Sequence, residues 1–474
     1  GKYVSGWARE PRRVIHVCQI GYEQYVEHRL VHPKVCYLLF PLELPMTKSW
    51  FTTALRFVPS RFCNSPAGRV RSYSVHPKGA TMADMKIAGI EGFRLYPRAV
   101  KEAWVEDEFV WPSHPPSFFV KATAEDGTYG VGESASQQWY LGETADQIAE
   151  CLRLYDGALR GQDPANFAYC HHLMRASYGG GMPGGRSARS GVDMALYDLV
   201  GKQRGVPVHS LLGGAYRTEF ELLTNLYHKT PEAMAKGCEE FISRGFTGLK
   251  IKVGDEVLSQ GWSRANILKE LAKLDAALEV TPREVYIDAD ANQGWESAQW
   301  TLSLLRAYSQ FDNLSIEQPL PYADLDGAAH VRAHGSVPVI LDESVWSARA
   351  MMQIARMQAC DRIVLKLNRL GGFFEALKVV SICEAAGIGV SVDTNPYTLV
   401  GDSAVCHIAA TCRTHYPVDC EGHESFLSWG DEPLVIGGIH IFDSRARLPD
   451  AAGLGLDIDW DALARHQHAN ERQQ

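Results

Sequence analysis

The chain is predicted to be an α/β protein in which a closed (β/α) barrel follows a smaller α+β unit. Three observations predict it. From about Phe220, short apolar strands alternate with helical stretches, and eight such strands can be marked. Before them, from Met85, strand signals joined by turn residues are followed by helical patterns. Finally, polar groups stand at the C-terminal ends of the barrel strands in step with the repeat. Asp290, Glu317, Asp342, Lys366 and Asp393 are spaced by 27, 25, 24 and 27 residues, about one β/α unit each. Alternating β and α elements imply a parallel sheet, and about eight of them imply closure.

The first eighty residues stand apart in charge. They hold twelve Lys/Arg against four Asp/Glu, a balance of +8, so the remainder of the chain carries −17 of the total of −9. Between Met46 and Ala83 there is no acidic residue, while Lys48, Arg56, Arg61, Arg69, Arg71 and Lys78 are interspersed with Ser, Thr and apolar residues. That composition is expected of a mitochondrial transit peptide, and Arg71-Ser72-Tyr73-Ser74 is similar to a presequence cleavage site. The alternative is a cytoplasmic protein whose translation starts at Met82 or Met85. Neither gives these residues a part in the chemistry. The acidic remainder argues against a nucleic-acid partner, which needs a positive patch. No uncharged apolar run reaches 18 residues, so no membrane span is expected. The 11 cysteines show no CxxC spacing and read as reduced, buried thiols of an intracellular protein.

The α+β unit begins with strands at Met85–Leu95, Ser117–Ala124 and Tyr129–Glu133, the last two joined by the turn Glu125-Asp126-Gly127. Helices are expected at Asp146–Leu159, Ala165–Arg175 and Ser187–Arg204, the last stopped by Gly205-Val-Pro207. The barrel strands are expected at Glu221–Tyr227, Gly248–Val253, Val285–Ala289, Leu314–Gln318, Val337–Leu341, Asp361–Leu367, Gly389–Asp393 and Pro417–Glu421. Gly245 and Gly387 fit helix-to-strand turns.

Catalytic groups in such barrels sit at the C-terminal strand ends. In Leu249-Lys250-Ile251-Lys252-Val253 the lysines face one way and the apolar residues the other. Helices cover the outside, so the lysines point inward. Arg362, Val364, Lys366 and Asn368 share a face by the same alternation. Asp290, Glu317 and Asp342 end three successive strands. Oxygen-only acidic ligands suit a hard ion such as Mg²⁺, and the absence of His or Cys there disfavours zinc. Strands two and six lie opposite one another, so Lys252 and Lys366 would flank a substrate held between them. The ion would stabilise the enediolate left when an α-proton departs. A lysine base must be neutral, and Lys250 supplies the like charge expected to lower the pKa of Lys252. Lys366 could instead be a structural counter-ion to Asp342 or Glu317.

These residues carry a family resemblance. Lys250-Ile-Lys252, Asp290-Ala-Asn292, Ile316-Glu317-Gln-Pro, Leu341-Asp342-Glu343-Ser and Leu365-Lys366-Leu-Asn-Arg-Leu-Gly-Gly372 resemble the enolase superfamily, in its muconate-lactonizing subgroup. So do Gly191-Val-Asp-Met-Ala-Leu-Tyr-Asp-Leu-Val-Gly-Lys202, Leu211-Leu-Gly-Gly214 and Pro449-Asp-Ala-Ala-Gly-Leu-Gly-Leu-Asp457. The chemistry this resemblance implies is a Lys or His base working with Mg²⁺. It implies a modified TIM barrel, (β/α)7β, at 216–436, an α+β capping domain at 85–215, and a C-terminal segment at 437–474 returning to the cap. Residues 1–84 would be a presequence or a non-native extension. It also implies that cap loops at about Ala103–Pro116 and Ser134–Gly142 select the substrate, with Trp104, Glu106, Trp111 and Tyr140 as candidates. The related mandelate racemase and sugar-acid dehydratase subgroup places a His after the seventh strand. Here that strand ends Ser391-Val-Asp393-Thr-Asn395-Pro, without one.

Two facing lysines suit racemisation or epimerisation, and the same pair could serve cycloisomerisation or dehydration. Asp419-Cys-Glu421-Gly-His423 is similar, as DxE, to the DxD with which dipeptide epimerases hold a substrate ammonium. It also resembles the Glu-Gly of hydroxyproline betaine epimerases. The expected substrate is therefore a small amino-acid-derived carboxylate, with or without a cationic nitrogen. Asp393, Asn395, Asp419, Glu421, Trp111 and Tyr140 are expected to contact it, with Lys252, Lys366 and Lys250 catalytic and Asp290, Glu317 and Asp342 on the metal. A homo-oligomer is the family expectation. A non-catalytic binding protein should have lost some of the five acid and lysine positions, and all five are present.

Overall fold

The computed structural model describes residues 85–474, apart from 97–116, 137–140, 179–183, 228, 395–396, 414, 421–432 and 472–474. Trp104, Glu106, Trp111, Tyr140, Asn395, Glu421 and the basic N-terminal segment therefore lie outside the described residues.

Strands β1 (Ile87–Leu95), β2 (Ser117–Ala124) and β3 (Tyr129–Ala135) form an antiparallel sheet in the order β1-β2-β3. Three helices follow: α1 (Ala145–Leu159), α2 (Phe167–Ser177) and α3 (Arg186–Arg204). Helix α1 starts at a reciprocal capping box between Thr144 and Gln147. Helix α3 stops at Gly205, whose φ of 66° is one that L side chains rarely adopt. The sheet and α3 approach so closely that a Cβ at Gly130 or Gly132 would lie 2.1 Å from a carbonyl oxygen of α3. Only glycine permits that spacing. The result is an apolar layer of Val120, Ala122, Val192, Ala195 and Leu199 between sheet and helix.

Eight parallel strands make the barrel. They are β4 (Glu219–Leu226), β5 (Gly248–Lys252), β6 (Tyr286–Asp290), β7 (Leu314–Glu317), β8 (Val339–Leu341), β9 (Arg362–Leu365), β10 (Gly389–Val392) and β11 (Val418–Asp419). They pair in sequence from β4 to β10, and β11 returns to pair with β4. Between them run α4 (Pro231–Ser243), α5 (Arg264–Val280), α6 (Ala298–Leu305), α7 (Leu325–His334), α8 (Ala348–Met357), α9 (Phe373–Ala386) and α10 (Leu399–Thr411). Leu249, Ile251, Ile287, Ala289, Ile316 and Leu341 belong to the main apolar core, which leaves the alternate strand positions to the polar interior. Strand β9 ends sooner than the spacing predicts. A short helical turn, Leu367–Leu370, begins directly after Lys366, so Asn368 leaves the strand face shared by Arg362 and Val364.

The C-terminal segment divides between the two parts. It opens with β12 (Val435–Gly437), followed by a hairpin of β13 (His440–Phe442) and β14 (Arg445–Arg447), and β14 extends the barrel sheet against β4. Strand β15 (Leu456–Ile458) pairs with β12, and α11 (Trp460–Glu471) returns to the cap. There Trp460 packs on Phe93 at 5.1 Å between ring centroids, and Tyr129 donates to Asp457 at 2.6 Å. The eight described cysteines are all buried free thiols. Among the described residues no helix is long and apolar enough to cross a membrane.

Candidate active site

Strand register does most of the positioning. Lys252 pairs with Asp290 and Asp290 with Glu317, so three strand ends deliver their charged groups side by side. Asp342 follows β8 immediately, and Lys366 follows β9. Each of Asp290, Glu317 and Asp342 is at most 1% exposed, so their charges are opposed by protein alone.

As arranged, the chain's own cations serve that purpose. Lys252 Nζ donates to Asp290 Oδ2 at 2.6 Å and to Asn292 Oδ1 at 3.2 Å. Lys250 Nζ donates to Asp393 Oδ2 at 2.8 Å and to Glu317 Oε1 at 3.3 Å, with Asp419 Oδ2 at 3.8 Å. Lys366 Nζ lies 3.2 Å from both Asp342 Oδ2 and Asp393 Oδ2. Arg369, from the turn after β9, donates a short charge-assisted bond to the other oxygen of Asp342. Asp393 thus bridges Lys250 and Lys366. The counter-ion alternative for Lys366 describes its present contacts.

The electrostatics follow from burial and charge together. Burial opposes the Lys250 charge, but Asp393, Glu317, Asp288 and Asp419 outweigh it and hold its pKa well above the ordinary value. Lys366 is raised in the same way by Asp342 and Asp393. Lys250 is consequently held as an ammonium, its charge matched by the acids around it. Burial would raise Asp342, yet Arg369 and Lys366 hold it below the ordinary carboxylate range. Glu317 goes the other way: burial, then the like charges of Asp288 and Asp290, lift it well above its ordinary value.

That contrast bears on a metal ion. Asp290, Glu317 and Asp342 offer oxygen only, carry three formal negative charges, and are close enough for Asp290 and Asp342 both to raise Glu317. Such a donor set fits a hard divalent cation. Among the described residues no three acidic, His or Cys side chains already close around one point. The reason is visible in the contacts above: Asp290 leans to Lys252, Glu317 to Lys250, and Asp342 to Lys366 and Arg369.

Of the remaining expected contacts, Asp419 is buried and accepts from Asn225 Nδ2 at 2.7 Å, so it belongs to the ionic cluster around Lys250. Sequence reasoning passed over Arg369, Asp288, Glu343 and Glu133. Asp288 shares the inward face of Asp290 by alternation, the signal that could have found it. Burial and neighbouring charge push its carboxyl up to about 6. Glu343 follows Asp342, is 8% exposed, and is pushed up to about 7 by burial and by Asp342 and Asp290. Glu133 acts from the cap, where it accepts from the first turn of α10.

Comparison with known proteins agrees with this geometry. Residues 113–213 match the mandelate racemase/muconate lactonizing enzyme N-terminal domain, and residues 233–462 the enolase C-terminal domain-like family. An N-succinyl-L-Arg/Lys racemase of Bacillus cereus is 31% identical over 74% of this chain and 90% of its own length. A chloromuconate cycloisomerase of Pseudomonas putida is 29% identical over 73% of this chain and 90% of its own. The crystal structure of a dipeptide epimerase from Enterococcus faecalis, complexed with Mg and the dipeptide L-Leu-L-Tyr, superposes with a TM-score of 0.69. It is 26% identical and covers 79% of this chain and all of its own, 100%. The chain is therefore an isomerase, and it belongs to the mandelate racemase/muconate lactonizing enzyme family of the enolase superfamily.

Proposed function

We propose that this enzyme racemises or epimerises an amino-acid-derived carboxylate, of the N-acyl amino acid or dipeptide kind, by moving the proton on its α-carbon. The observation that carries this reading is the placement of Lys252 and Lys366. Lys252 ends the second of the eight barrel strands and Lys366 follows the sixth, and the strands that lead to Asp290, Glu317 and Asp342 come between them in the sheet order. Relatives named as an N-succinyl-amino-acid racemase and as dipeptide epimerases support the substrate class.

Asp290, Glu317 and Asp342 would hold Mg²⁺. When bound, the ion supplies Lewis-acid stabilisation of the negative charge that builds on the substrate carboxylate. Asp290 and Asp342, as ligands, would pair less strongly with Lys252 and Lys366, which would loosen the hold on the lysine protons. One lysine, neutral, then takes the α-proton from its face of the substrate. The other, as an ammonium, returns a proton to the opposite face. Lys250 keeps its charge against Asp393 and Glu317 and orients the site electrostatically.

Incubating the enzyme in D₂O with N-succinyl-L-lysine or L-Leu-L-Tyr should label the α-carbon, and removing Mg²⁺ should stop it. Lys252→Ala and Lys366→Ala should each lose labelling of one α-configuration by about 10²–10⁴-fold, the usual worth of a general acid or base. Labelling that survives in the double variant would sink the two-lysine mechanism. A product of altered connectivity would select the cycloisomerase reading that the chloromuconate relatives favour.

A further inference from the structure

A cavity of about 250 Å³ opens between cap and barrel. Leu141, Glu143 and Arg186 reach it from the cap side, and Glu343, Trp346 and Arg369 from the segments after β8 and β9. Arg369 also holds Asp342, so the cavity adjoins the carboxylate cluster. Three of its four charged groups are already spent. Glu143 accepts from the backbone N–H groups of Arg186 and Ser187 at 2.8 and 3.0 Å, one to each oxygen. Glu343 turns one oxygen to the amides of Asn292 and Gln293, and its other oxygen is buried. Arg369 is held by Asp342 and by the Val345 carbonyl at 3.1 Å.

Arg186 differs. It begins α3 and precedes the Gly191–Lys202 motif that carries the family resemblance. Its guanidinium lies 4.8 Å over the centroid of the Trp346 ring. Its Nη1 donates to the Trp346 carbonyl and, at 3.5 Å, to that of Arg369. Those contacts use one nitrogen and one face. Among the described residues Nε and Nη2 donate to nothing, neither nitrogen is buried, and the guanidinium has no ion-pair partner. Burial and the like charge of Arg189 press against its charge more than Glu143 and Glu375 support it, and its pKa falls to about 10. It remains a cation at neutral pH.

The free pair of nitrogens is a particular one. Nε and Nη2 form an edge that a carboxylate takes with two parallel hydrogen bonds. This chain makes that pairing elsewhere: Arg153 meets Glu150, Arg160 meets Asp156 and Arg447 meets Glu219 through these two nitrogens, at 2.6–3.1 Å. At Arg186 the same edge is open. Nη1 and Trp346 already fix its plane, so little side-chain freedom remains to be lost on binding.

We propose that Arg186 binds a second carboxylate of the substrate, remote from the carbon that loses its proton, and so makes the enzyme select dicarboxylates such as N-succinyl amino acids and dipeptides with an acidic side chain. An ammonium would be repelled by the guanidinium, and a neutral amide would leave its charge unpaired. Leu141 and Trp346 give the carbons between the two carboxylates an apolar surface. That the ligand is the substrate rests on the proposed function; the fit of this edge to a carboxylate does not.

The test compares N-succinyl-L-phenylalanine with N-succinamoyl-L-phenylalanine, in which a terminal amide replaces the second carboxylate. In the Mg²⁺-loaded enzyme, kcat/KM for α-proton exchange should favour the dicarboxylate by about tenfold or more, the scale of a charge-assisted pair. Arg186→Met, similar in length but uncharged, should bring the ratio near one, through KM for the dicarboxylate. Arg186→Lys, a cation without the fork, should fall between the two. A ratio near one in the wild type, or one unchanged in Arg186→Met, overturns the proposal. So does an equal fall for both compounds, which would mean that Arg186 only ties the cap to the Trp346 segment. Where neither compound exchanges, calorimetric titration into the Mg²⁺-loaded enzyme reads the pairing alone. Tighter binding of the dicarboxylate by about tenfold, lost in Arg186→Met, then sinks the proposed function and leaves this inference standing. Equal binding of the two compounds, or none, overturns it.

Discussion

At the scale of single residues, Asp393 is the most informative group in the site. The sequence placed it among the expected substrate contacts, at the C-terminal end of the seventh strand. The structure makes it the link between Lys250 and Lys366, at 2.8 and 3.2 Å from one oxygen. Burial would raise its pKa, yet the two ammonium groups hold it below the ordinary value. Removing that charge leaves two buried cations to share Glu317, Asp342 and Asp419. Breaking a buried ion pair from one side costs about 3–5 kcal/mol, and the remaining carboxylates should keep Asp393→Asn near the lower end, about 3 kcal/mol. Urea denaturation of the variant against the wild type measures it. A change below about 1 kcal/mol would mean that Glu317, Asp342 and Asp419, and not Asp393, neutralise the lysines.

At the scale of elements, the cap is fastened to the barrel by buried acids that cap barrel helices. Asp193 of α3 accepts from Phe373 N, the first residue of α9. Glu133, at the end of β3, accepts from Thr398 N and Oγ1 and from Gly401 N, at the start of α10. A carboxylate there satisfies donors that a helix N-terminus leaves open. Burial nevertheless dominates and lifts Glu133 from 4.5 to about 7. A carboxyl raised in the folded state binds its proton more tightly there than in the unfolded chain. Its contribution is therefore fully present below pH 4.5 and is lost as pH rises through about 7. Glu133→Gln cannot titrate. From pH 4.5 to 7.5, the stability of the wild type relative to this variant should fall by on the order of 3 kcal/mol. A difference independent of pH would show that the Glu133 carboxyl ionises as freely in the fold as in the unfolded chain.

The same elements show what was legible beforehand. All eight barrel strands, the three cap strands and helices α1–α3 could be marked, because alternation, glycine stops and β/α spacing are local signals. Lys250, Lys252, Asp290, Glu317 and Asp342 were legible because strand register converts sequence position directly into place. Glu133, Asp193 and Arg369 were not. Their partners lie 265, 180 and 27 residues away, and no local pattern says that a buried acid will meet a particular helix end. The early stop of β9 escaped for a related reason: the alternation of Arg362, Val364, Lys366 and Asn368 continues into a helical turn that the repeat alone does not mark.

At the scale of the whole molecule, the ties from cap to barrel make cap and catalytic centre stand or fall together. Glu133 and Asp193 reach from the cap to barrel helices, and α11 comes back from the barrel side to the cap sheet. A ligand that binds only the native carboxylate cluster should therefore shift one cooperative transition, with no separate melting of the cap. Mg²⁺ at a hundredfold excess over its Kd would add about 2.7 kcal/mol to global stability. Glu317 is the acid whose charge is most opposed, by burial and by Asp288, Asp290 and Asp342. Glu317→Gln relieves that opposition, so without Mg²⁺ the variant should be at least as stable as the wild type. It should also lose most of the Mg²⁺-dependent gain, because a neutral amide is a poorer ligand for a hard cation. Thermal unfolding with and without Mg²⁺, followed in both proteins, separates the two effects. An equal gain in wild type and variant would remove Glu317 from the metal site. A biphasic wild-type curve would show that the cap unfolds on its own.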